Sequence, residues 1–454
     1  MSRIPAWIRL NPVLPWGVLF LLLSLTVTQF GGLNALARTA GLRAITEGHT
    51  LTIDNYKDWT IDWSLSPSGH YYPNKAPGPV LLGLPAFALT ELIALPLGQK
   101  HLDEKGRAPQ PGYAQHIFLM LYLQLLPFFI LVLWIAHRMK QSGLPPEAVH
   151  FFALAALFGN TAALYMNSNF GHGLAALLLL GAFFSWNERR YIFTGLFLSW
   201  SLLSDYGVAF SLPFFLLATI LREKDFRSQL RIALGAAPGA IAWIWYHTVA
   251  FGSPFATANQ FINPEQIVQI QKSGNAFWDS FSLLPSPTIL FELLFGTSRG
   301  LLFTQPWIFA VFVLPFLKTP SLPKGASLLV TGSLAGLLWM NAGFGGWHGG
   351  WCLGPRYLAA VLPMGALAVA FGWERFPRGI RFSLWALLAV SLLFRVLVFP
   401  FSSLAPTQNL WLYHLGLAMG EHRGTTTLRF ALAFLFIGAT GYWLYRRQVS
   451  RAVS

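Results

Sequence analysis

The chain has little charge and almost no cysteine. Only 11% of its 454 residues are charged and 54% are hydrophobic, whereas soluble domains carry about 25% charged residues. Cys352 is the single cysteine, which excludes an internal disulfide framework and any two-cysteine metal or redox motif. No GxxxxGK[ST] sequence occurs, which excludes the phosphate-binding loop of P-loop nucleotide-binding proteins. The composition is that of an integral membrane protein.

Apolar runs of about 20 residues, the length that crosses the hydrocarbon core, recur along the sequence. The first, VLPWGVLFLLLSLTVTQF, is long and has no A-x-A cleavage site, which favours an uncleaved span over a signal peptide. These runs predict an all-α polytopic fold with about twelve transmembrane helices in a single domain, residues 1–454. The predicted spans are 13–30, 114–136, 148–167, 172–187, 191–204, 207–221, 229–251, 301–318, 325–342, 356–374, 381–400 and 430–445.

The distribution of Lys and Arg predicts which side each connection faces. Short connections such as NSNFGHG, SDYG and NAGFGGWHGGW contain neither residue, whereas 18 of the 31 basic residues fall in the other short connections. Lys and Arg collect in cytoplasmic loops, so we expect the basic connections and both termini inside. The net charge of +14 is then a topology signal, and no nucleic-acid partner is expected. The basic connections carry Arg3, Arg9, Arg138, Lys140, Arg189, Arg190, Arg222, Lys224, Arg227, Arg231, Lys318, Lys324, Arg375, Arg378, Arg381, Arg446, Arg447 and Arg451.

This orientation places the long first loop, 31–113, and a second larger segment, 252–300, on the extracytoplasmic side. The apolar stretch 80–97 lies inside the first loop and is interrupted by glycine, proline and Glu91. If it crossed the membrane, every later basic loop would face outward while Arg3 and Arg9 stayed inside. We therefore expect 80–97 to form an interfacial helix that does not span.

Three carboxylates in the first loop recur every four residues: Asp54, Asp58 and Asp62. Pro67 and Gly69 follow closely and favour a loop over a long helix. Each carboxylate is a candidate general base or an oxygen ligand for a metal ion, and the alternative is a solvated surface residue. The sequence thus leaves a divalent metal open and names no certain cofactor.

The stretch GHYYPNKAPGP follows these acids. Its prolines stiffen the backbone, and Gly78 allows close approach of another backbone or a ligand. Lys75 in this rigid turn is a candidate to meet a lipid phosphate at the membrane surface, the alternative being a lysine that snorkels to the interface. Tyr71 and Tyr72 suit either an aromatic belt or contact with a substrate.

Further cations and aromatics lie in the connections expected outside. GGWHGGWCLGPRYL combines a glycine-rich backbone, which exposes N–H groups to an anion, with an arginine at the start of a span. A lone histidine is more often structural, but an arginine inside a span is a functional hypothesis. The candidate phosphate- and lipid-binding residues are Lys75, His172, Arg299, His348, Arg356 and Arg395. The candidate substrate-binding residues are Tyr71, Tyr72, Trp347, Trp351 and Tyr357.

Several motifs together resemble the bacterial GT-C membrane glycosyltransferases, in the branch related to protein mannosyltransferases and aminoarabinose lipid A transferases. The motifs are TLTID, GHYYPNKAPGPVLLGLP, YHTVAFGSPFATAN, LLFGTSRGLLFTQPWIF and GGWHGGWCLGPRYLAAVLP, which run through most of the chain in the same order as in that family. The resemblance implies an inner-membrane enzyme of the cell envelope. It would transfer a sugar from a polyprenyl-phosphate donor to a lipid, glycan or protein acceptor on the extracytoplasmic face.

In such enzymes an acidic residue of the first outer loop deprotonates or orients the acceptor, and one displacement inverts the sugar. Many members carry this acid directly after the first span, where this chain reads QFGGLNALARTAG without Asp or Glu. The resemblance therefore passes the role to Asp54 first, Asp62 second and Asp58 third. A transporter or lipid flippase is the alternative, although it predicts internal repeats and ionisable residues at mid-membrane. A non-catalytic membrane scaffold is a third reading. The chain is also expected to lack the large C-terminal soluble domain of oligosaccharyltransferase-type members.

Overall fold

Almost all of the regular structure is helical, as the apolar pattern predicts. The computed structural model describes residues 7, 11–26, 32–94, 113–263, 281–317, 321–350, 352–398, 409 and 411–413. One antiparallel hairpin is the exception to the helical pattern in these residues. The α-helices of the N-terminal half are α1 Leu14–Thr26, α2 Leu33–Gly48, α3 Gly78–Ala94, α4 Tyr113–Met120, α5 Leu126–Gln141, α6 Pro146–Leu157, α7 Ala162–Tyr165, α8 Gly171–Asn187 and α9 Tyr191–Ser204.

The second half continues the helical pattern. Its α-helices are α10 Leu212–Arg222, α11 Arg227–Phe251, α12 Pro287–Phe295, α13 Leu301–Thr304, α14 Ala326–Gly343, α15 Leu362–Phe371 and α16 Arg378–Val398. Shorter 3-10 helices cover Asp54–Trp59, Tyr206–Ser211, Ala258–Phe261, Pro306–Phe316, Arg356–Val361 and Trp373–Arg375, and a π-helical turn, Leu121–Leu125, joins α4 to α5. Apolar side chains from α5 to α9 and from α14 and α15 form most of one large core.

Within the described residues, three helices are long and apolar enough to cross a membrane: Ala114–Gln141, Ala326–Gly343 and Arg378–Val398. Eight more apolar helices have 10 to 17 residues, and 17 residues extend for only about 25 Å, less than the hydrocarbon core of about 30 Å. The helices are short because several predicted spans are interrupted. Predicted span 148–167, for example, divides into α6 and α7 around Phe158–Thr161.

The structure therefore confirms a helical chain whose apolar helices suggest membrane association, and it does not confirm twelve spans. The last predicted span, 430–445, lies outside the described residues. The orientation of the chain across the membrane stays a prediction.

The described part of the first loop, 32–94, is a folded unit rather than a linker. Helix α2 leads into the 3-10 helix Asp54–Trp59, which is followed by strands β1 Trp63–Leu65 and β2 Tyr71–Pro73. The strands pair antiparallel with Ser64 opposite Tyr72, and their turn holds Gly69 at φ 83°, a conformation that glycine adopts without strain. The prediction that the three aspartates do not share one long helix is thus confirmed. The hairpin itself was not predicted, because neither strand exceeds three residues.

The ambiguous stretch 80–97 forms most of a single helix, α3, as far as Ala94. Arg43 of α2 forms an ion pair with Glu91, which is buried on α3. Leu92 and Ile93 on the same helix are mostly exposed at 65% and 55%. A helix with one buried charged contact and one open apolar face fits an interfacial position packed on the bundle, and that position remains a prediction.

Residues 258–263 of the second outer segment pack on the hairpin. The Ser64 side chain donates a hydrogen bond to the Ala258 carbonyl at 2.7 Å, and Ser64 also forms an isolated β-bridge with Ile262. Helix α12 lies further along this segment. The two segments expected outside are therefore in contact through the hairpin and residues 258–263.

Candidate functional site

Two glycines allow three distant segments to meet at the end of helix α9. A side chain at Gly78 would lie 2.7 Å from the Leu203 carbonyl oxygen, and one at Gly171 would collide with the Ser204 carbonyl oxygen. Both backbones can approach only because glycine has no Cβ. The contacts bring the chain around Lys75 and His172 against Asp205, the residue that follows α9. The predicted close approach at Gly78 is confirmed, and its partner is a backbone.

Lys75 forms an ion pair with Asp62 across the hairpin, with Nζ 3.1 Å from Oδ2. Backbone bonding sets the pairing, because the Asn74 N–H donates to the Asp62 carbonyl at 3.1 Å. Burial lowers the pKa of Lys75 and the guanidinium groups of Arg356 and Arg38 lower it further, while Asp62 opposes this change. The ammonium group therefore lies among other cations and has one carboxylate partner in this ion pair.

His172 and Asp205 form a second pair, with Nδ1 2.7 Å from Oδ2. The other carboxylate oxygen of Asp205 accepts the Gly207 N–H at 3.0 Å, which caps the 3-10 helix Tyr206–Ser211. Burial alone would raise the pKa of Asp205, but the His172 ring and the Gly207 N–H hold it below its ordinary value. Asp205 is thus an ionised carboxylate held beside Nδ1, on the edge of the imidazole ring.

Arg38 of helix α2 lies between these two pairs and was not among the predicted site residues. It is 4% exposed and donates to the Asn34 side chain and, at 3.3 Å, to the Asn169 carbonyl. Burial lowers the pKa of Arg38 to about 10, against the attraction of Asp62 and Asp205. The available signal was an arginine within the small-residue run NALARTAG, a costly place for a charge without a partner.

Arg356 provides the third cation, from the end of the glycine-rich loop. It donates to the Tyr357 hydroxyl at 2.9 Å, and the Tyr357 ring meets the His172 ring edge-on with centroids 5.7 Å apart. Gly349 has φ 69°, and a Cβ there would lie 2.8 Å from Nε of Arg356. The glycine-rich loop therefore makes room for the guanidinium group.

We call Arg38, Asp62, Lys75, His172, Asp205 and Arg356 the charged cluster. It contains three cations and two carboxylates, so its net charge is +1 with His172 neutral. Nε of Arg38 and Nε of Arg356 are buried and have no hydrogen-bond partner among the described residues. Buried polar groups are normally satisfied by protein, water or ligand. A positive, partly unsatisfied site of this kind can bind an anion such as a phosphate.

An apolar cavity lies among the helices on either side of Asp205, and no residue of the charged cluster lines it. It has a volume of about 750 Å³ and is lined by α9, α10, α11 and the 3-10 helix that follows Asp205, including Leu202, Ala209 and Trp243. Tyr206 connects the two, because its ring contacts Trp243 with centroids 5.3 Å apart and it immediately follows Asp205. A charged cluster linked in this way to an apolar cavity suits an amphiphilic ligand.

Of the three predicted catalytic carboxylates, only Asp62 belongs to the charged cluster. Asp54 pairs with the exposed His70 at 2.7 Å and accepts the Tyr71 N–H at 2.7 Å, so it fastens the hairpin to the 3-10 helix. Asp58 is exposed on that 3-10 helix. Asp54 and Asp58 lie on the 3-10 helix that precedes the hairpin, and Asp54 bonds to the residues of its second strand and turn rather than to the cluster.

The predicted aromatic contacts divide in a similar way. Tyr357 lies in the charged cluster's wall, whereas the Tyr71 ring packs on Trp63 with centroids 4.9 Å apart and Tyr72 is buried against Phe251. Trp347 is partly buried beside His348, and Trp351 lies outside the described residues. Tyr71 and Tyr72 thus stabilise the hairpin and are not part of the cluster.

The two other predicted phosphate-binding arginines donate hydrogen bonds to backbone carbonyls. Arg299 is 1% exposed and donates to the carbonyls of Cys352 and Gly350, the latter at 2.7 Å. Arg395 of α16 donates to the Ala163 carbonyl at 3.2 Å. Both were predicted to bind phosphate; the structure shows them bonded to protein backbone, and phosphate binding by them stays a prediction.

His348 lies in the glycine-rich loop that leads to Arg356. Its Nδ1 accepts the Gly350 N–H at 2.9 Å. Burial, followed by the charges of Arg299 and Arg356, lowers the pKa of His348. His348 is therefore close enough to feel the charge of Arg356, although its hydrogen bond is used inside the loop.

The described residues contain no group of three or more His, Cys, Asp or Glu side chains arranged to hold a metal ion. No protein-family model matches the chain, and neither a curated protein nor a solved structure is significantly similar to it. The function must therefore be argued from the charged cluster, the apolar cavity and the sequence motifs.

Proposed function

We propose that this protein transfers a sugar from a polyprenyl-phosphate-linked donor to an acceptor hydroxyl or amine on the extracytoplasmic face of the inner membrane. The observation that supports this function best is the charged cluster, which Tyr206 links to an apolar cavity through its contact with Trp243. Three cations suit a phosphate, and the cavity suits the hydrocarbon chain attached to it. The sequence motifs that resemble GT-C transferases, two of which contain Lys75 and Arg356, support the same reaction class.

The proposed reaction is a single displacement. The acceptor attacks the anomeric carbon of the sugar, the bond from that carbon to the phosphate oxygen breaks, and the lipid phosphate leaves with the electron pair. Arg38, Lys75 and Arg356 stabilise the charge that develops on the leaving phosphate. Inversion at the anomeric carbon follows from one displacement.

Asp62 is the loop carboxylate that this proposal assigns to the acceptor. It is buried next to the cations, and its ion pair with Lys75 fixes its position. A carboxylate held in this way can accept a hydrogen bond from the acceptor and orient it toward the anomeric carbon. Its position among the cations favours Asp62 over Asp54, the first choice from sequence.

The direct test is to incubate membranes containing the protein with radiolabelled polyprenyl-phosphate sugars and to follow label into the acceptor fraction. We expect Lys75→Gln to reduce transfer about 100-fold or more, since a buried cation that stabilises the leaving group is lost. Lys57→Gln is the matched control, because Lys57 is exposed and only overlies the Tyr71 ring at 4.3 Å. Movement of the labelled lipid across the bilayer without sugar transfer would instead support a flippase.

A further inference from the structure

The chain contains two histidine–aspartate pairs with the same atoms and the same separation. Nδ1 lies 2.7 Å from a carboxylate oxygen both in His172–Asp205 and in His70–Asp54. The side chains of the first pair are only 11% and 12% exposed, whereas those of the second are 53% and 37% exposed. Identical geometry in such different surroundings indicates that the buried pair has a different role.

The carboxylate determines which ring nitrogen of His172 carries the hydrogen. An ionised Asp205 can only accept a hydrogen bond, so Nδ1 must be the donor and Nε2 keeps its lone pair in the neutral ring. Asp205 stays in place because its second oxygen accepts the Gly207 N–H. In the described part of the chain, the His172 ring makes this one hydrogen bond, to Asp205.

Three aromatic rings and three charged groups surround His172. Tyr165, Phe170 and Tyr357 contact the ring, with centroids 5.5, 6.3 and 5.7 Å away. Among charged groups, Asp205, Arg356 and Arg38 act on it. The imidazole is therefore held by ring packing on several sides, while its Nε2 is left available in a site that also contains the proposed phosphate-binding cations.

Asp62 is a weaker candidate for taking a proton. Its carboxylate is paired with the Lys75 ammonium group at 3.1 Å, and an opposite charge at that distance stabilises the ionised form and makes the carboxylate a poorer base. Neutral imidazole is a better proton acceptor near neutral pH. The two groups can therefore divide the work, with one orienting the acceptor and the other removing its proton.

We infer that Nε2 of His172 takes the proton of the acceptor hydroxyl or amine, and that Asp205 is the positioning residue that fixes the ring. This inference rests on the proposed sugar transfer. As the acceptor atom bonds to the anomeric carbon, its proton moves to Nε2 and the electron pair of the broken bond leaves with the phosphate. The resulting imidazolium is stabilised by Asp205 and returns its proton to water after the products leave.

The test measures transfer from radiolabelled polyprenyl-phosphate sugar across pH 5 to 9, together with donor binding, in the full-length protein in liposomes. We expect the wild-type rate to fall at low pH as His172 becomes protonated. His172→Gln should lose that acid limb and about 100-fold or more in kcat, with donor affinity changed by less than about threefold. His70→Gln, the matched control from the exposed pair, should keep both the limb and the rate.

Asp205→Asn keeps every heavy atom in place and decides the question if His172→Gln does not fold. An amide N–H facing Nδ1 would favour the hydrogen on Nε2, so kcat should fall about 100-fold or more while donor binding is kept. An unchanged acid limb, or a loss of less than tenfold in the folded variants, would overturn the role of His172 and leave sugar transfer standing. A wild-type protein that transfers no sugar would overturn both.

Discussion

Replacing Gly78 by alanine tests the contact that assembles the charged cluster. The added Cβ would lie 2.7 Å from the Leu203 carbonyl carbon, 2.7 Å from its oxygen and 2.7 Å from the Ser204 Oγ. Carbon atoms in good contact are about 3.5–4.0 Å apart, so the two segments must separate by roughly 1 Å. Backbone atoms provide two of these three contacts, and a rotamer change cannot relieve them.

Two measurable effects follow from this separation. Overpacking of a well-packed contact costs about 1–3 kcal/mol, which lowers the melting temperature of the protein in detergent. The same shift moves the chain around Lys75 away from Asp205. A misplacement of about 1 Å in a catalytic site can reduce the rate about 100-fold, so sugar transfer should fall by about 10- to 100-fold.

The assay compares Gly78→Ala with Gly379→Ala. Position 379 lies near the start of α16, has open space around its Cβ direction and has no positive φ. Alanine there improves helix propensity by about 0.5–1 kcal/mol, so stability should be unchanged or higher and transfer unchanged. If Gly78→Ala melts and transfers sugar like the wild type, the backbone contact does not assemble the cluster and the reasoning is refuted.

Two other comparisons use matched positions. Asp62→Asn should reduce sugar transfer at least tenfold more than Asp54→Asn. Only the first variant removes the carboxylate partner of a buried cation, which costs about 3 kcal/mol of stability. Equal losses in the radiolabel assay would show that the hairpin and not the cluster matters. Gly349→Ala and Gly350→Ala both place a side chain at positive φ, 69° and 68°, which costs each about 1 kcal/mol. Only position 349 abuts Arg356, and position 350 has open space, so donor affinity measured by binding should fall about tenfold in the first variant alone. The same affinity in both variants would contradict a role for Arg356 in phosphate binding.

The sequence by itself determined the class of protein and the segments that carry its polar chemistry. Low charge and repeated apolar runs require an apolar surrounding, and this depends on composition rather than on which residues touch. The position and length of the apolar runs also predicted most helices, since helical bonding is local. The distribution of Lys and Arg placed SNFGHG, SDYG and the glycine-rich loop together on the side expected to be extracytoplasmic. Residues from all three meet at the charged cluster. Gly78 was predicted to permit a close approach because its lack of a side chain is a local property.

Only the tertiary structure decided which members of those segments face each other. Asp54 and Asp62 have the same chemistry and similar neighbours in sequence. A hairpin with three-residue strands nevertheless pairs one with an exposed histidine and the other with Lys75. Arg38 joins the cluster through a contact 131 residues away in the chain, and Arg299 donates hydrogen bonds to loop carbonyls. Such choices depend on the packing of distant backbones and on burial, which strengthens charge interactions, and neither is written in the local pattern of residues.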